Sequence, residues 1–498
     1  MTLGDLIRGT RTVALPGVAE AGSVAERRVS SIAHDSRDVV GGSVFVALRG
    51  AKTDGARFAA EAATRGAIAI VSDGPAPDDA PAGPLWISVS DARATLAELA
   101  AVFYARPSEQ LTLVGVTGTN GKTTTTYLLA AIFEAAGIGC GRIGTVNQKI
   151  GAEERDASRT TPEAPDLQRL LREMVDRGLG ACAMEVSSHA LSLRRVDELR
   201  FAAGVFSNLT RDHLDFHGDM ESYFAAKRLL FAMLPETAPA IVNIDDPRGA
   251  ELAQSARRPV TYAIDRPADV SPGTLRYSLD GLDFDVQTPR GTLHVTSPLV
   301  GRPNAYNVLA SVATAAALDL PFDAIERGLA GLKAVPGRFE MASTPDDDVR
   351  VVVDYAHTDD ALKNLLETAR PLAGGRLITV FGCGGDRDAT KRPLMGAVAA
   401  RLSDLVIVTS DNPRSEDPAR IIAEIRRGMT REIGVVIEEP DRRRAIERAI
   451  ADAGPGDLVL VAGKGHEKYQ TVGDRTIAFD DMQVARDALA RRRSRPRV

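Results

Sequence analysis

The segment with the clearest chemistry is Thr117-Gly118-Thr119-Asn120-Gly121-Lys122-Thr123-Thr124, set between an apolar run, Leu111 to Val116, and a helical pattern that ends at Gly137. Glycines at 118 and 121 let backbone N–H groups close around phosphate oxygens, and a helix N-terminus behind them adds a favourable dipole. Lys122 can reach the outer phosphates of a nucleotide, and the Thr123 hydroxyl can ligate Mg²⁺. The strict phosphate-loop pattern wants another glycine five residues before Gly121, where this chain has Val116. The strand–loop–helix context favours a nucleotide loop over a plain helix-capping turn.

This variant loop resembles that of the Mur ligase and folylpolyglutamate synthetase superfamily, which makes amide bonds by phosphorylating a carboxylate and letting an amine attack the acyl phosphate. Further motifs agree along nearly the whole chain. Glu185-Val186-Ser187-Ser188-His189 ends one expected strand, and Asn208-Leu209-Thr210-Arg211-Asp212-His213 follows another. Strand C-terminal ends face the ligand crevice of an open parallel sheet, so Glu185 and His213 join Thr123 as expected Mg²⁺ ligands. By residue type alone, Lys227 reads as an exposed helical lysine. The resemblance implies that it is carbamylated and becomes an anionic metal ligand. The resemblance also implies that Thr117, Gly118, Thr119, Asn120, Gly121, Lys122, Thr123 and Asn304 bind ATP, and that Arg338, Asp354 and His357 close over it when the domains shut. Two departures are visible. Pro303 stands where relatives carry Phe or His, and the usual Thr-Pro-Asp reads Thr358-Asp359-Asp360.

Within the family, Asp35-Ser36-Arg37 and the stretch Gly50 to Gly55 resemble the uridine-binding part of the branch that adds the third peptide residue. Thr160, Thr161, Ser187 and Arg195 match that branch's contacts to the UDP-muramoyl dipeptide, although Arg159 replaces a common Asn and Leu193 a Gln. Asp411-Asn412-Pro413-Arg414 alone reads equally well as a turn. In this family it resembles the tetrapeptide of enzymes adding meso-diaminopimelate, with Arg387, Gly463 and Glu467 as companions. Diaminopimelate ends in an ammonium and a carboxylate, and a guanidinium forks onto a carboxylate that lysine does not offer there. The expected activity is therefore ATP-dependent addition of meso-diaminopimelate to a UDP-muramoyl dipeptide in peptidoglycan precursor synthesis. The alternatives are a lysine-adding or folylpolyglutamate enzyme of the same superfamily, or a phosphate-loop regulatory NTPase that needs no amino-acid pocket.

Positioning these groups requires an α/β architecture. Ser43 to Leu48, Ala67 to Val71 and Leu85 to Val89 read as strands, and Asp91 as the cap of a helix Ala92 to Tyr104. Further strands are expected at Ala181 to Val186, Gly204 to Ser207, Ala240 to Ile244, Arg350 to Val353, Leu377 to Phe381, Leu405 to Val408 and Leu458 to Val461. Alternation with helices predicts doubly wound parallel sheets. Leu275 to Thr296 instead predicts antiparallel hairpins, turning at Asp280-Gly281 and Arg290-Gly291. Three domains are expected: 1–107 for the UDP-linked substrate, 108–335 for ATP with the phosphate loop, and a Rossmann-like 336–498 for the amino acid.

A chain of 498 residues is too long for one core, and its 44% hydrophobic and 26% charged content is ordinary for globular proteins. A net charge of −6 argues against nucleic-acid or anionic-membrane partners. The basic run Arg491 to Arg497 reads as a solvated helix end. Three scattered cysteines, no signal-peptide pattern and no long apolar span predict a cytoplasmic protein, expected as a monomer with small-molecule substrates only.

Overall fold

A computed structural model describes residues 1–13, 22–50, 53–430 and 434–494. Residues 51–52 of the expected uridine segment, and residues 495–497 of the basic run, lie outside the described set. The chain forms two compact units. The first comprises Met1–Thr117, Gly137–Val205 and Ala226–Ala240, and the second Gly118–Ala136, Phe206–Ala225 and Ile241–Val498.

The first unit begins with β1 (Ser31–Ala33), β2 (Ser43–Ala47), β3 (Ala69–Ser72) and β4 (Leu85–Ser88), all parallel in that order. Their sequences are near-continuous apolar runs because both faces are covered. Val44 and Val46 enter one core cluster with Leu3 and Leu6, while Phe45 and Ala47 enter another with Ala59. The helix Ala92–Phe103 starts where expected, since the Asp91 side chain accepts from Ala94 N. It packs against a second helix, Ala164–Asp176.

Next come β5 (Thr112–Thr117), β6 (Cys140–Ile143), β7 (Asn147–Ile150), β8 (Glu153–Asp156), β9 (Ala181–Glu185) and β10 (Ala203–Phe206), ordered β10-β5-β9-β6-β7-β8. β5 and β6 run parallel to β9, but β7 and β8 are antiparallel additions. The sequence reading does not anticipate them, because Asn147–Ile150 and Glu153–Asp156 are short and polar.

In the second unit, β11 (Ala240–Asn243) and β12 (Pro259–Tyr262) are neighbours. They are followed by the antiparallel strands β13 (Ser271–Pro272), β14 (Arg276–Ser278), β15 (Gly281–Thr288) and β16 (Gly291–Ser297), as the hairpin pattern predicts. Leu282, Phe284 and Val286 of β15 point inward and alternate with exposed residues.

A six-stranded sheet then combines β17 (Glu340–Met341), β18 (Arg350–Asp354), β19 (Leu377–Phe381), β20 (Leu405–Val408), β21 (Val435–Glu438) and β22 (Leu458–Ala462) in the order β17-β18-β22-β19-β20-β21. Only β17 is antiparallel. A separate hairpin, β23 (Tyr469–Val472) with β24 (Arg475–Ala478), was not legible in the sequence.

The described part of the basic run is the end of the helix Asp481–Arg493, with Arg491 and Arg493 exposed, as expected. Its arginines also make ion pairs: Arg491 with Glu447 at 2.7 Å, Arg492 with both oxygens of Asp348, and Arg493 with Asp347 at 3.4 Å. No helix among the described residues is long and apolar enough to cross a membrane.

Candidate functional site

The phosphate loop is held in shape by its own second unit. Gly118 and Gly121 take φ of +146° and +88°, and Gly121 is the N-cap of the helix Lys122–Ala135. A Cβ at Gly118 would collide with Ser207 Oγ, and one at Gly121 with Asn307 Oδ1, so both positions require glycine. Val116, where the strict pattern has glycine, is buried in β5 and paired with Glu185 of β9. The segment 207–210 braces the loop from below. Asn120 N donates to Asn208 Oδ1 at 2.9 Å, Thr119 N to Asn208 O at 2.9 Å, and Ser207 Oγ to the Asn120 carbonyl. Lys122 Nζ donates to the carbonyls of Gly118 and Thr119 at 2.9 and 2.8 Å, which holds the ammonium over the loop. Asn304 donates to Val300 O and accepts from Asn307 Nδ2 at 3.0 Å, so the pair positions the Asn307 oxygen beside Gly121.

Residues far along the chain converge on the same loop. Arg338 Nη2 donates to Thr123 Oγ1 at 3.3 Å, and its guanidinium lies 4.6 Å over the Tyr355 ring. Asp354 accepts from the N–H groups of Phe339 and Ala356; burial pushes its carboxyl up, against Arg338 and those two donors. His357 Nδ1 lies 2.9 Å from Tyr355 O and donates to it in the neutral tautomer. Burial, then Lys391, lowers its pKa and favours that neutral form. Asp360 accepts from Asn120 Nδ2 at 3.2 Å. The Thr358-Asp359-Asp360 segment makes a sound helix start: Thr358 caps the helix Asp359–Ala369, and two acids in its first turn suit the dipole. His213 has φ +55° and a ring 43% exposed, with Nε2 3.4 Å from Asp212 Oδ2.

A second cluster lies within the first unit. Glu185, at the end of β9, is buried and accepts from Thr145 N at 2.8 Å and Thr145 Oγ1 at 3.0 Å. Thr145 Oγ1 also lies 3.0 Å from Thr160 Oγ1. Thr161 Oγ1 donates to Glu185 O and accepts from Ser187 N, and Arg195 Nη1 donates to Thr161 O at 3.2 Å. Thr160, Thr161, Glu185, Ser187 and Arg195 are thus brought together, along with Thr145 and Glu163, which the sequence reading missed. Ser36 donates to Glu61 at 2.8 Å in the four-stranded region. Lys227 is 1% exposed, so the exposed-lysine reading is corrected. Among the described residues no three His, Cys, Asp or Glu side chains form a metal cage.

The third cluster surrounds Asp411-Asn412-Pro413-Arg414 after β20. Arg414 has φ +51°, and its backbone pairs with the hairpin: its N–H donates to Thr471 O and its carbonyl accepts from Gly473 N. Its Nη1 donates to Gly385 O at 2.7 Å. A Cβ on Gly384 would stand 3.0 Å from that Nη1 and 3.9 Å from Arg387 Cγ, so both arginines flank Gly384. Gly463 has φ +118° and admits Asp411, whose Oδ2 would be 2.7 Å from a Cβ there. Asn412 Nδ2 and the wholly buried Lys464 Nζ both donate to Glu467 Oε2 at 2.9 Å. Lys464 was also missed, because a buried cation inside a glycine-rich segment has no periodic signature.

Family models match three segments of the chain. The "Mur ligase family, catalytic domain" matches residues 28–104, the "Mur ligase middle domain" 116–315, and the "Mur ligase, glutamate ligase domain" 337–465. The chain is 48% identical over 492 residues to a UDP-N-acetylmuramoyl-L-alanyl-D-glutamate–2,6-diaminopimelate ligase of Solibacter usitatus, covering 98% of each. It is 47% identical to the ligase of the same name from Geobacter metallireducens, covering 93% of this chain and 95% of that one. A solved structure of a ligase of that name superposes with a TM-score of 0.69 at 32% identity, covering 99% of this chain and all of the other. The Thermotoga maritima MurF ligase in complex with ADP shares the fold, with a TM-score of 0.64 at 20% identity over 94% of this chain and 99% of its own. From its phosphate loop to its last sheet, the chain belongs to the Mur ligase family.

Proposed function

We propose that this chain joins meso-2,6-diaminopimelate to UDP-N-acetylmuramoyl-L-alanyl-D-glutamate with consumption of ATP, as a cytoplasmic monomer with the three domains 1–107, 108–335 and 336–498. The observation that carries the amino-acid choice is Arg387 and Arg414 flanking Gly384, close to the Lys464–Glu467–Asn412 network. Two guanidiniums suit the distal carboxylate of diaminopimelate, and Glu467 suits its ammonium. Lysine would leave both arginines facing no carboxylate. Near-full-length relatives named as diaminopimelate ligases support the same reading.

In the first step the glutamate γ-carboxylate attacks the γ-phosphorus of ATP, forming a C–O–P acyl phosphate as the bond to the ADP oxygen breaks. Lys122 neutralises charge on the transferred group, and Arg338, Asp354 and His357 enclose the nucleotide. The neutral amine of diaminopimelate then attacks the acyl carbon; the C–N bond forms as the C–O bond to phosphate breaks, and the proton lost by nitrogen passes to the departing phosphate or to water. Mg²⁺ would neutralise phosphate charge. Thr123 supplies a hydroxyl donor for it, and Glu185, His213 and carbamylated Lys227 are the donors that the resemblance names. That no three His, Cys, Asp or Glu side chains among the described residues form a cage is compatible with Mg²⁺, which usually takes one or two carboxylates plus phosphate oxygens. Lys227 is buried on its helix and not on the outer surface, as a residue of the site would be.

The test is phosphate release by the purified protein with ATP, the UDP-linked dipeptide and single amino acids. Release should require all three substrates and favour diaminopimelate. Preference for lysine, or release from ATP alone, would overturn this assignment.

A further inference from the structure

We propose that Arg159 is a positioning residue of the dipeptide site, acting through Glu163 to keep the Arg195 guanidinium available to the glutamate α-carboxylate. The inference rests on the ligase reading above. It starts from an unusual sharing: Glu163 Oε1 pairs with Arg195 Nη2 at 2.8 Å and with Arg159 Nη1 as well. Glu163 occupies the N-cap position of the helix Ala164–Asp176, yet its side chain makes no capping bond. Its side chain, 10% exposed, is committed to the arginines instead.

Arg195 is nearly enclosed, with its side chain 12% exposed. Nη1 is used by Thr161 O, but Nε is buried without a hydrogen-bond partner. A buried guanidinium donor left unmatched is costly and marks a place for an acceptor. The charges give the same indication. Arg159, Arg195 and Glu163 together carry a net charge of +1, and Arg93 adds positive charge acting on Arg195, so the cluster is short of an anion. Burial lowers the pKa of Arg195, Glu163 opposes that, and Arg159 adds to the lowering.

The dipeptide substrate supplies an anion of the right kind. Its glutamate has two carboxylates: the γ group reacts, and the α group stays negative throughout. If Glu163 gave its full charge to Arg195, the two would neutralise each other and compete with that α-carboxylate. Arg159 divides the attention of Glu163 and leaves Arg195 electrostatically unsatisfied. Arg159 is itself 50% exposed, so it is not needed to fill a core.

The experiment compares wild type, Arg159→Asn and Arg159→Lys on two substrates: the UDP-muramoyl dipeptide and its analogue with the glutamate α-carboxylate converted to an amide, the γ-carboxylate intact. With the normal substrate, Arg159→Asn should raise its KM about tenfold, the effect of one charged contact, with the KM values for ATP and amino acid unchanged. Arg159→Lys should restore most of the loss. With the α-amide, wild type and Arg159→Asn should converge, because the anion is gone. An equal KM ratio on both substrates, or no change with the normal one, would overturn the proposal. Absence of any ligation by wild type would instead overturn the ligase reading, so the two failures are distinguishable.

Discussion

Arg338 and Thr123 are 215 residues apart in sequence, yet Arg338 Nη2 donates to the Thr123 hydroxyl at 3.3 Å. The guanidinium is steadied from two sides, by Gly337 O at 3.0 Å and by the Tyr355 ring. It is thereby aimed at the first turn after the phosphate loop, where nucleotide charge is expected.

Arg338→Ala should therefore raise the KM for ATP by roughly 10- to 100-fold, the value of one charge-assisted contact. The KM for the UDP-linked substrate should change little. Arg338→Lys should recover little, since an ammonium cannot both stack on Tyr355 and present a planar fork. Steady-state kinetics with ATP as the varied substrate decides this; equal weakening of all substrates would show a structural role.

Lys227 is buried on the helix Met220–Ala232. If it acts as a carbamate, Lys227→Ala should be nearly inactive and regain part of its activity with added short-chain carboxylates, which can replace the missing anion. Full activity without any additive would remove Lys227 from the site.

Glu98 gives a pH-dependent stability signal. Its buried carboxylate accepts from Arg11 N and Nε and from Thr12 N and Oγ1, at 2.7 to 3.0 Å. Burial tends to raise its pKa, but these donors together outweigh it and hold the pKa below 4.5. The folded state thus binds its proton less readily than the unfolded chain. The stabilisation is present above about pH 4.5 and is lost as pH falls through the folded value. Glu98→Gln should cost about 1–3 kcal/mol at pH 7 and much less near pH 3, read as the Tm difference from wild type at each pH. A pH-independent difference would mean that packing, not charge, is lost.

Arg414 should set the amino-acid preference. Arg414→Ala removes a charged partner from a desolvated site, costing about 2–5 kcal/mol, or roughly thirtyfold to several thousandfold in diaminopimelate use. Lysine, poor with wild type, should lose less because it never made the contact. Parallel kinetics with both amino acids test this, and equal losses would show that the tetrapeptide shapes the loop without reading the substrate.

Much of this protein was legible in its residues. The phosphate loop, the cap at Asp91 and the hairpins turning at Gly281 and Gly291 follow from local rules, because each depends on a few adjacent residues and on the conformational freedom of glycine. The apolar runs Val44–Val46 and Val351–Val353 likewise announce strands covered on both faces. What tertiary structure decided was the environment of charges. Lys227 has the sequence surroundings of a surface lysine, yet the packing of its helix leaves it 1% exposed. Glu163 and Lys464 look unremarkable until folding sets them against Arg159 and Arg195 in one case, and Glu467 and Asn412 in the other. Even the arginines of the last helix are held by Asp347, Asp348 and Glu447. Periodicity reports which face of an element is apolar. It does not report which distant side chain will meet a charge, because that depends on contacts between elements that are far apart in the chain.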